Sequence, residues 1–259
     1  MGSLNYTLER TVLIQAGRET VFRFFTDSAR WAKWWGPGST IEAHPGGAVR
    51  ICHPGGVVSL GEVLEVAPLE RIMFTYGFEG GKPIPPGSSR VTIRLEPDAA
   101  GTRLTLRHEF DDQFARDEHV QGWRFQLSLF GNVVANEAFA DAAGVVDAWF
   151  DAWAETDAGV REKALARIAA PGVGFRDRFS LLSGVADISA HAGAAQKFMP
   201  GVRLRRKGDI RHCQGTVLAD WVFVGEDGQE RMSGINVFVL GADGRIHSAT
   251  GFTNLPAVK

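Results

Sequence analysis

The sequence predicts an α+β protein of two domains, and three observations predict it. An apolar stripe at helical spacing runs through Trp123, Leu127, Phe130 and Val134. A second stripe, from Val145 through Trp149 to Trp153, begins after the weakly patterned run 141–144. Strand-like sequence lies on both outer sides, at 7–109 and 173–253. Each helix is therefore expected to pack on its own sheet, which gives domains at 1–139 and 140–259.

The first domain is predicted to be a curved antiparallel sheet with a long C-terminal helix. A strand at 8–16 leads to a helix whose apolar face is supplied by Val21, Phe22, Phe24 and Phe25. A second helical piece carries Trp31, Trp34 and Trp35. Turns at 45–47 and 54–56 then separate strands. The predicted strands are 57–66, 71–78, 89–95 and 102–110, and the final helix ends near 139. This order leaves a cavity between sheet and helix.

The second domain is predicted to be an α+β cone, with helices first and a meander of strands after them. Helices are expected at 145–155 and 160–169, the latter stopped by Pro171-Gly172, and at 186–198. Asp227-Gly228 and Asp243-Gly244 are typical of hairpin turns. The predicted strands are 173–177, 202–212, 216–224, 230–240 and 245–252.

Composition excludes several classes of function. The formal net charge of -2 gives no electrostatic reason for a nucleic-acid or membrane partner. Two cysteines, one in each predicted domain, favour a reducing compartment, and we expect a cytoplasmic protein. No glycine-rich phosphate loop follows a strand, and the seven histidines lack metal-ligand spacing, so neither a cofactor nor a metal is expected.

Aromatic and imidazole side chains are the candidates for lining the first cavity. Alternation along the strand 71–78 turns Phe74 and Tyr76 to one face and Met73 to the other. For each aromatic residue the alternative is an ordinary core position. A buried imidazole needs polar partners, which a cavity supplies. The ligand-binding candidates are Trp34, Trp35, His53, Phe74, Tyr76, His108 and Trp123.

Several segments of the first domain resemble a known family. They are Trp31-Ala32-Lys33-Trp34-Trp35, the run 61–68, the run 101–106 and Gly122-Trp123. These pieces look like the SRPBCC (START-like) helix-grip domains, in particular the Aha-type co-chaperone homologues of bacteria. The resemblance implies a helix-grip fold and binding of a small hydrophobic molecule.

The second domain resembles the SnoaL-like and ketosteroid-isomerase-like branch of the nuclear transport factor family. The resemblance is carried by the helix with Trp149 and Trp153, by Phe175-Arg176-Asp177, and by Asp243-Gly244-Arg245-Ile246 followed by Thr250-Gly251-Phe252. It implies a role as a cofactor-independent isomerase or cyclase on a polyketide- or steroid-like carbonyl compound. Members of this fold often pair, which implies a homodimer.

The same resemblance implies the roles of three residues. Asp177 matches the position of the isomerase general base, while Trp149 and Asn236 match the positions of two donors that hold the oxyanion. An indole N–H and an amide N–H both donate, although both residue types differ from those of the isomerases.

Other interpretations of the second domain stay open. In one, Asp177 only turns the chain before Leu181. His191 and Trp221 are further candidates for its cavity, with a surface position and a cross-strand contact as their respective alternatives. The alternative function for the whole protein is binding or sensing of a hydrophobic molecule without catalysis, with the second domain serving for dimerisation.

Overall fold

The computed structural model describes residues 3–254 and divides into two compact units, the first ending at Glu137 and the second beginning at Ala138. The α+β class and the helix-grip arrangement of the first unit are confirmed. The domain boundary predicted after residue 139 stays a prediction. Within 3–254, no helix combines the length and apolar character needed to cross a membrane.

The first unit is a seven-stranded antiparallel sheet with the long helix at its end. The strand order in the sheet is β1-β7-β6-β5-β4-β3-β2. The first and the last strand of this unit in sequence, β1 and β7, are therefore paired with each other. The elements are β1 Tyr6–Ile14, α1 Arg18–Arg23, α2 Ser28–Trp35, β2 Thr40–Ile41, β3 Ala48–Cys52, β4 Val58–Ala67, β5 Arg71–Phe78, β6 Ser89–Asp98, β7 Gly101–Phe110 and α3 Gln113–Ala138.

The predicted stripe on α3 is the buried side of that helix. Trp123, Leu127, Phe130 and Val134 are all buried. The Phe130 ring lies 4.9 Å from both Phe25 and Trp34, measured between ring centroids. Spacings of three and four residues thus place one face of α3 on the aromatic core, as periodicity predicts.

Two details of the first unit differ from prediction. Strands β2 and β3 were not predicted. Strand β2 has only two residues, which is too few to show alternation. Helix α1 ends at Arg23, and Phe24 and Phe25 lie beyond it. Their N–H groups donate to the carbonyls three residues earlier, which tightens the chain into a turn.

The second unit places three helices on a mixed sheet. The sheet order is β10-β12-β13-β14-β8-β9, β11 pairs with β12, and the β14–β8 pair is parallel. The elements are α4 Ala142–Ala154, α5 Ala158–Ile168, β8 Ala169–Arg176, β9 Leu181–Ser183, α6 Val185–Phe198, β10 Arg203–Arg206, β11 Arg211–Cys213, β12 Thr216–Val224, β13 Glu230–Leu240 and β14 Ile246–Thr253.

Two predicted boundaries in this unit are wrong. Pro171-Gly172 does not stop a helix, because it lies inside β8, where the pairing with β14 shifts register. Such an irregularity accommodates a proline that cannot donate a ladder hydrogen bond. The strand predicted at 202–212 is two strands, β10 and β11, interrupted near Gly208, whose φ is 72°.

The two Asp-Gly turns are confirmed. Gly228 and Gly244 have φ of 75° and 76°, which glycine adopts without steric cost. The side chains of Asp227 and Asp243 accept hydrogen bonds from the N–H groups two residues later, each at 3.1 Å. These turns set the register of β12, β13 and β14, whose side chains line the site described next.

Candidate active site

An apolar cavity of about 560 Å³ lies in the second unit between its helices and the sheet. Strand alternation and the inner faces of α4 and α6 direct mainly aromatic and aliphatic side chains towards it. A cavity of this size and character suits a small organic ligand. The lining residues are Trp149, Trp153, Phe175, Asp177, Phe179, His191, Ala194, Ala195, Phe198, Met199, Leu204, Trp221, Phe223, Met232, Asn236, Gly251 and Thr253.

Helix α4 brings two tryptophans to the cavity, one turn apart. Trp149 is fully buried, with its ring centroid 5.9 Å from Phe175 and 5.7 Å from Phe238. Trp153 lies 5.1 Å from Phe175 and 5.9 Å from His191. Neither indole N–H has a hydrogen-bond partner within the described part of the chain. A buried donor without a partner costs about 1–3 kcal/mol, so both are available to a ligand acceptor.

Trp221 adds a third such indole from the sheet. Its N–H is likewise buried and unpartnered among residues 3–254. The ring lies across Gly234, its neighbour on β13, where an added Cβ would come within 2.3 Å of the indole. A glycine at 234 therefore allows Trp221 to lie close to the strand surface.

Asn236 supplies an amide from the middle of β13. It is buried, yet no hydrogen bond of its side chain occurs within the described residues. Its partners on the neighbouring strands are Ala219 and Gly251, whose small size leaves space around the amide. A buried amide normally has partners, which makes Asn236 a candidate for contact with a ligand.

Asp177 approaches the same space from the end of β8. A Cβ built on Gly251 would lie 3.1 Å from Asn236 Oδ1 and 3.2 Å from Asp177 Cβ. The Cβ of Asp177 and the side-chain oxygen of Asn236 therefore flank one gap above Gly251. The half-buried Asp177 is the acidic residue among the side chains that line the cavity.

Asp177 also turns the chain. Its Oδ1 accepts hydrogen bonds from the Phe179 N–H at 2.8 Å and from the Ser180 hydroxyl at 2.6 Å. Its own N–H donates to the Ser180 carbonyl at 3.0 Å, which closes the loop between β8 and β9. The two interpretations of this residue are compatible, because one carboxylate oxygen makes the turn and these bonds leave Oδ2 unused.

His191 on α6 belongs to the same cluster. Its Nε2 lies 3.2 Å from the Ser180 hydroxyl, which links the helix to the Asp177 loop. Sequence reasoning missed Ser180, since a serine in a short loop carries no periodic signal. It also missed Phe179 and Phe198 at the cavity edge, which are 72% and 86% exposed.

The candidates of the first unit form a packed cluster. Trp34, Trp35, Phe74, Tyr76, His108 and Trp123 are all buried, and His53 is partly buried. Ring centroids are separated by 4.4 Å for Trp34–Trp35, 5.6 Å for Trp35–Trp123 and 5.3 Å for Tyr76–His108. Such contacts are those of an aromatic core, the alternative considered for these residues. Ligand binding by them stays a prediction.

Hydrogen bonds fix the protonation state of His108. The Trp123 N–H donates to His108 Nδ1 at 2.9 Å, so that nitrogen carries no proton. Nε2–H then donates to the Ser89 hydroxyl at 2.8 Å, and Ser89 donates to the Tyr76 carbonyl at 2.8 Å. Complete burial lowers the pKa of His108 well below its ordinary value.

Burial shifts the neighbouring titratable groups in the same sense. It lowers the pKa of His53 and the pKa of His119, in both cases by penalising the charged imidazole. It raises the pKa of the Tyr76 phenol to about 12. The cluster is therefore neutral at physiological pH. His119 Nε2 is buried without a partner in the described structure.

No group of three or more potential metal ligands occurs within residues 3–254. Cys52 and Cys213 are both free thiols.

Comparison with protein families gives one match. The family described as "Activator of Hsp90 ATPase homolog 1-like protein" (AHSA1) matches residues 15–134. A comparison with curated proteins found no match.

Solved structures similar to this chain cover about half of it. An AHSA1-like protein from Rhizobium etli is 29% identical, with 50% of this chain and 81% of that chain covered and a TM-score of 0.42. A SnoaL-like family protein from Agrobacterium tumefaciens is 24% identical, with coverage of 44% and 97% and a TM-score of 0.42. A protein from Chromobacterium violaceum is 27% identical, with coverage of 48% and 94% and a TM-score of 0.42.

Proposed function

We propose that this chain, whose residues 15–134 form an AHSA1-like domain, uses its second unit to bind a small hydrophobic carbonyl compound and to move a proton on the carbon next to the carbonyl. The observation that carries the proposal is the gap above Gly251. There the Cβ of Asp177 and the side-chain oxygen of Asn236 both lie next to Gly251, and both residues line the apolar cavity. General acid–base chemistry needs these two functions side by side.

Asp177 is the general base. Its Oδ2 removes the proton from the acidic carbon, and the C–H electron pair moves into the new C=C bond as the carbonyl becomes an enolate. The same carboxylic acid then returns the proton to a different carbon of the conjugated system. Atoms and charge balance over the cycle, so the reaction is an isomerisation that needs no cofactor.

Asn236 and Trp149 stabilise the enolate oxygen. Trp149 offers an indole N–H that has no partner within residues 3–254, and the buried Asn236 offers a side-chain amide. Neither group needs a change of protonation state to donate. One preorganised donor of this kind contributes about 10²–10³ to kcat in enzymes where it has been removed. The apolar lining strengthens these interactions by excluding water.

The test is hydrogen–deuterium exchange at the acidic carbon of 2-tetralone, a flat bicyclic ketone, followed by NMR in D₂O. We expect the wild-type protein to accelerate exchange and D177N to abolish the acceleration, since an amide cannot accept the proton. The control is D151N, which removes an exposed acid of α4. Equal exchange rates for wild type and D177N would rule out Asp177 as the base.

The second candidate is binding or sensing of the same class of molecule without chemistry. It is favoured by the hydrogen bonds of Asp177 Oδ1, which stabilise the β8–β9 loop. In this case the wild-type protein retains a ligand but does not accelerate exchange, so the exchange assay distinguishes the two candidates. Native mass spectrometry of the purified protein detects a retained ligand and counts subunits, which tests the predicted homodimer.

A further inference from the structure

The inference rests on the proposed function and concerns how its base is held. We infer that Ser180 and His191 are positioning residues, which hold Asp177 through Oδ1 so that Oδ2 alone is presented to the substrate. Neither residue touches the reacting atoms in this scheme. Both act through the carboxylate of Asp177.

The direction of the hydrogen bonds follows from the available protons. An ionised carboxylate only accepts, so the Ser180 hydroxyl gives its single proton to Asp177 Oδ1 at 2.6 Å. Ser180 Oγ is then an acceptor towards His191 Nε2, 3.2 Å away. His191 must therefore carry its proton on Nε2, and the chain of donation runs from His191 through Ser180 to Asp177.

Backbone geometry makes the arrangement rigid. Residues 177–180 form the four-residue connection between β8 and β9, whose first pair is Arg176 and Leu181. The Asp177 N–H and the Ser180 carbonyl close it at 3.0 Å, and the Phe179 N–H adds a second donor to Oδ1. Three hydrogen bonds thus fix the loop and one carboxylate oxygen, a degree of preorganisation that catalytic groups need.

His191 is the titratable side chain that faces this loop from another element. On the Asp177 strand, Arg176 is exposed, and so is Arg178 in the loop. The side chains that line the cavity from the other elements are uncharged. Helix α4 contributes Trp149 and Trp153, and strands β13 and β14 contribute Met232, Asn236, Gly251 and Thr253. The hydrogen-bonded chain to α6 is therefore the polar support that reaches Asp177 from outside its own hairpin.

The experiment uses the full chain and the 2-tetralone exchange assay. We expect S180A to lower kcat about tenfold with KM unchanged, because a small misplacement of a base slows the reaction without weakening binding. S180T keeps the hydroxyl and restores kcat. S183A, an exposed serine of β9, is the matched control and leaves both constants unchanged.

His191 is tested with two variants. H191Q retains an N–H donor near the Nε2 position, so we expect it to keep most of kcat. H191F has no such donor, and we expect its kcat to fall by about as much as that of S180A. Because His191 acts through Ser180, the double variant S180A/H191F is no slower than S180A alone. If S180A does not fold, H191F against H191Q decides the question.

The outcomes separate the two proposals. A wild-type protein without exchange activity overturns the proposed function and this inference with it. A wild-type protein that exchanges, with D177N inactive and S180A equal to wild type, overturns the positioning role alone. Additive losses in the double variant, or a change confined to KM, also overturn it.

Discussion

At the scale of single residues, the second unit is organised around hydrogen-bonding groups that the protein itself does not use. The indole N–H groups of Trp149, Trp153 and Trp221 lack partners within residues 3–254. Native proteins satisfy most buried polar groups, so three unpartnered indole donors around one cavity are candidates for hydrogen bonds to a ligand.

Trp149 and Trp153 allow a matched comparison. W149F removes the proposed oxyanion donor and keeps an aromatic ring, so we expect kcat for 2-tetralone exchange to fall about 10²-fold. W153F makes the same change one helical turn away, where the N–H is not assigned to the enolate, and should lower kcat far less. Equal effects of the two substitutions on kcat would contradict the assignment of Trp149.

At the scale of elements, the position of α6 depends on a buried arginine. Arg161 on α5 is buried, and its guanidinium donates to the Ser189 carbonyl on α6 at 2.9 Å and to the Glu155 carbonyl at the end of α4 at 2.7 Å. The planar fork of arginine can satisfy acceptors on two elements at once. Arg161 therefore joins the three helices that hold His191 and the two tryptophans of α4.

Replacing Arg161 by lysine tests whether its hydrogen bonds hold the three helices together. We expect R161K to lower the free energy of unfolding of the second unit by about 1.5–3 kcal/mol, because hydrogen bonds from a charged donor are lost. The measurement is urea denaturation followed by tryptophan fluorescence. R167K, at an exposed position of the same helix, should change stability very little. Identical midpoints for the two variants would show that Arg161 does not join the helices.

At the scale of the whole molecule, the two units should respond differently to acid. Burial lowers the pKa of His53, His108 and His119 in the first unit, whereas in the second unit it lowers the pKa of His212. The unfolded chain binds protons at these histidines more readily than the folded chain does. The contribution of these histidines to the free energy of unfolding is therefore fully present above their ordinary pKa of about 6.5, and it declines as the pH falls below that value.

We expect acidification from pH 7 to pH 5 to destabilise the first unit more than the second, as measured by hydrogen exchange of amides assigned to each. The range from pH 7 to pH 5 lies above the ordinary pKa values of aspartate and glutamate side chains. H119F supplies the control, because it removes a titrating imidazole and an unpartnered buried nitrogen while keeping ring contacts with Tyr76, Phe78 and Phe110. A pH response of the first unit that H119F leaves unchanged would exclude His119 as a contributor.

Much of the fold could be predicted because its signals are local. The α3 stripe, the two Asp-Gly turns and the strands 71–78, 216–224 and 230–240 depend on spacing and turn chemistry within a few residues. The errors arose where distant partners decide structure. Pro171-Gly172 is accommodated in β8 by its pairing with β14, which no local pattern reveals.

The sequence by itself determined which side chains are candidates for chemistry: an acid after a short strand, an asparagine inside a strand and two tryptophans on one helix face. Only the tertiary structure decided which of these meet. It packed the aromatic residues of the first unit ring against ring, and it brought Asp177 and Asn236 to one gap above Gly251. The physical reason is that period and propensity fix the direction of a side chain within its element. Whether facing elements leave space depends on the volumes of residues far apart in the chain.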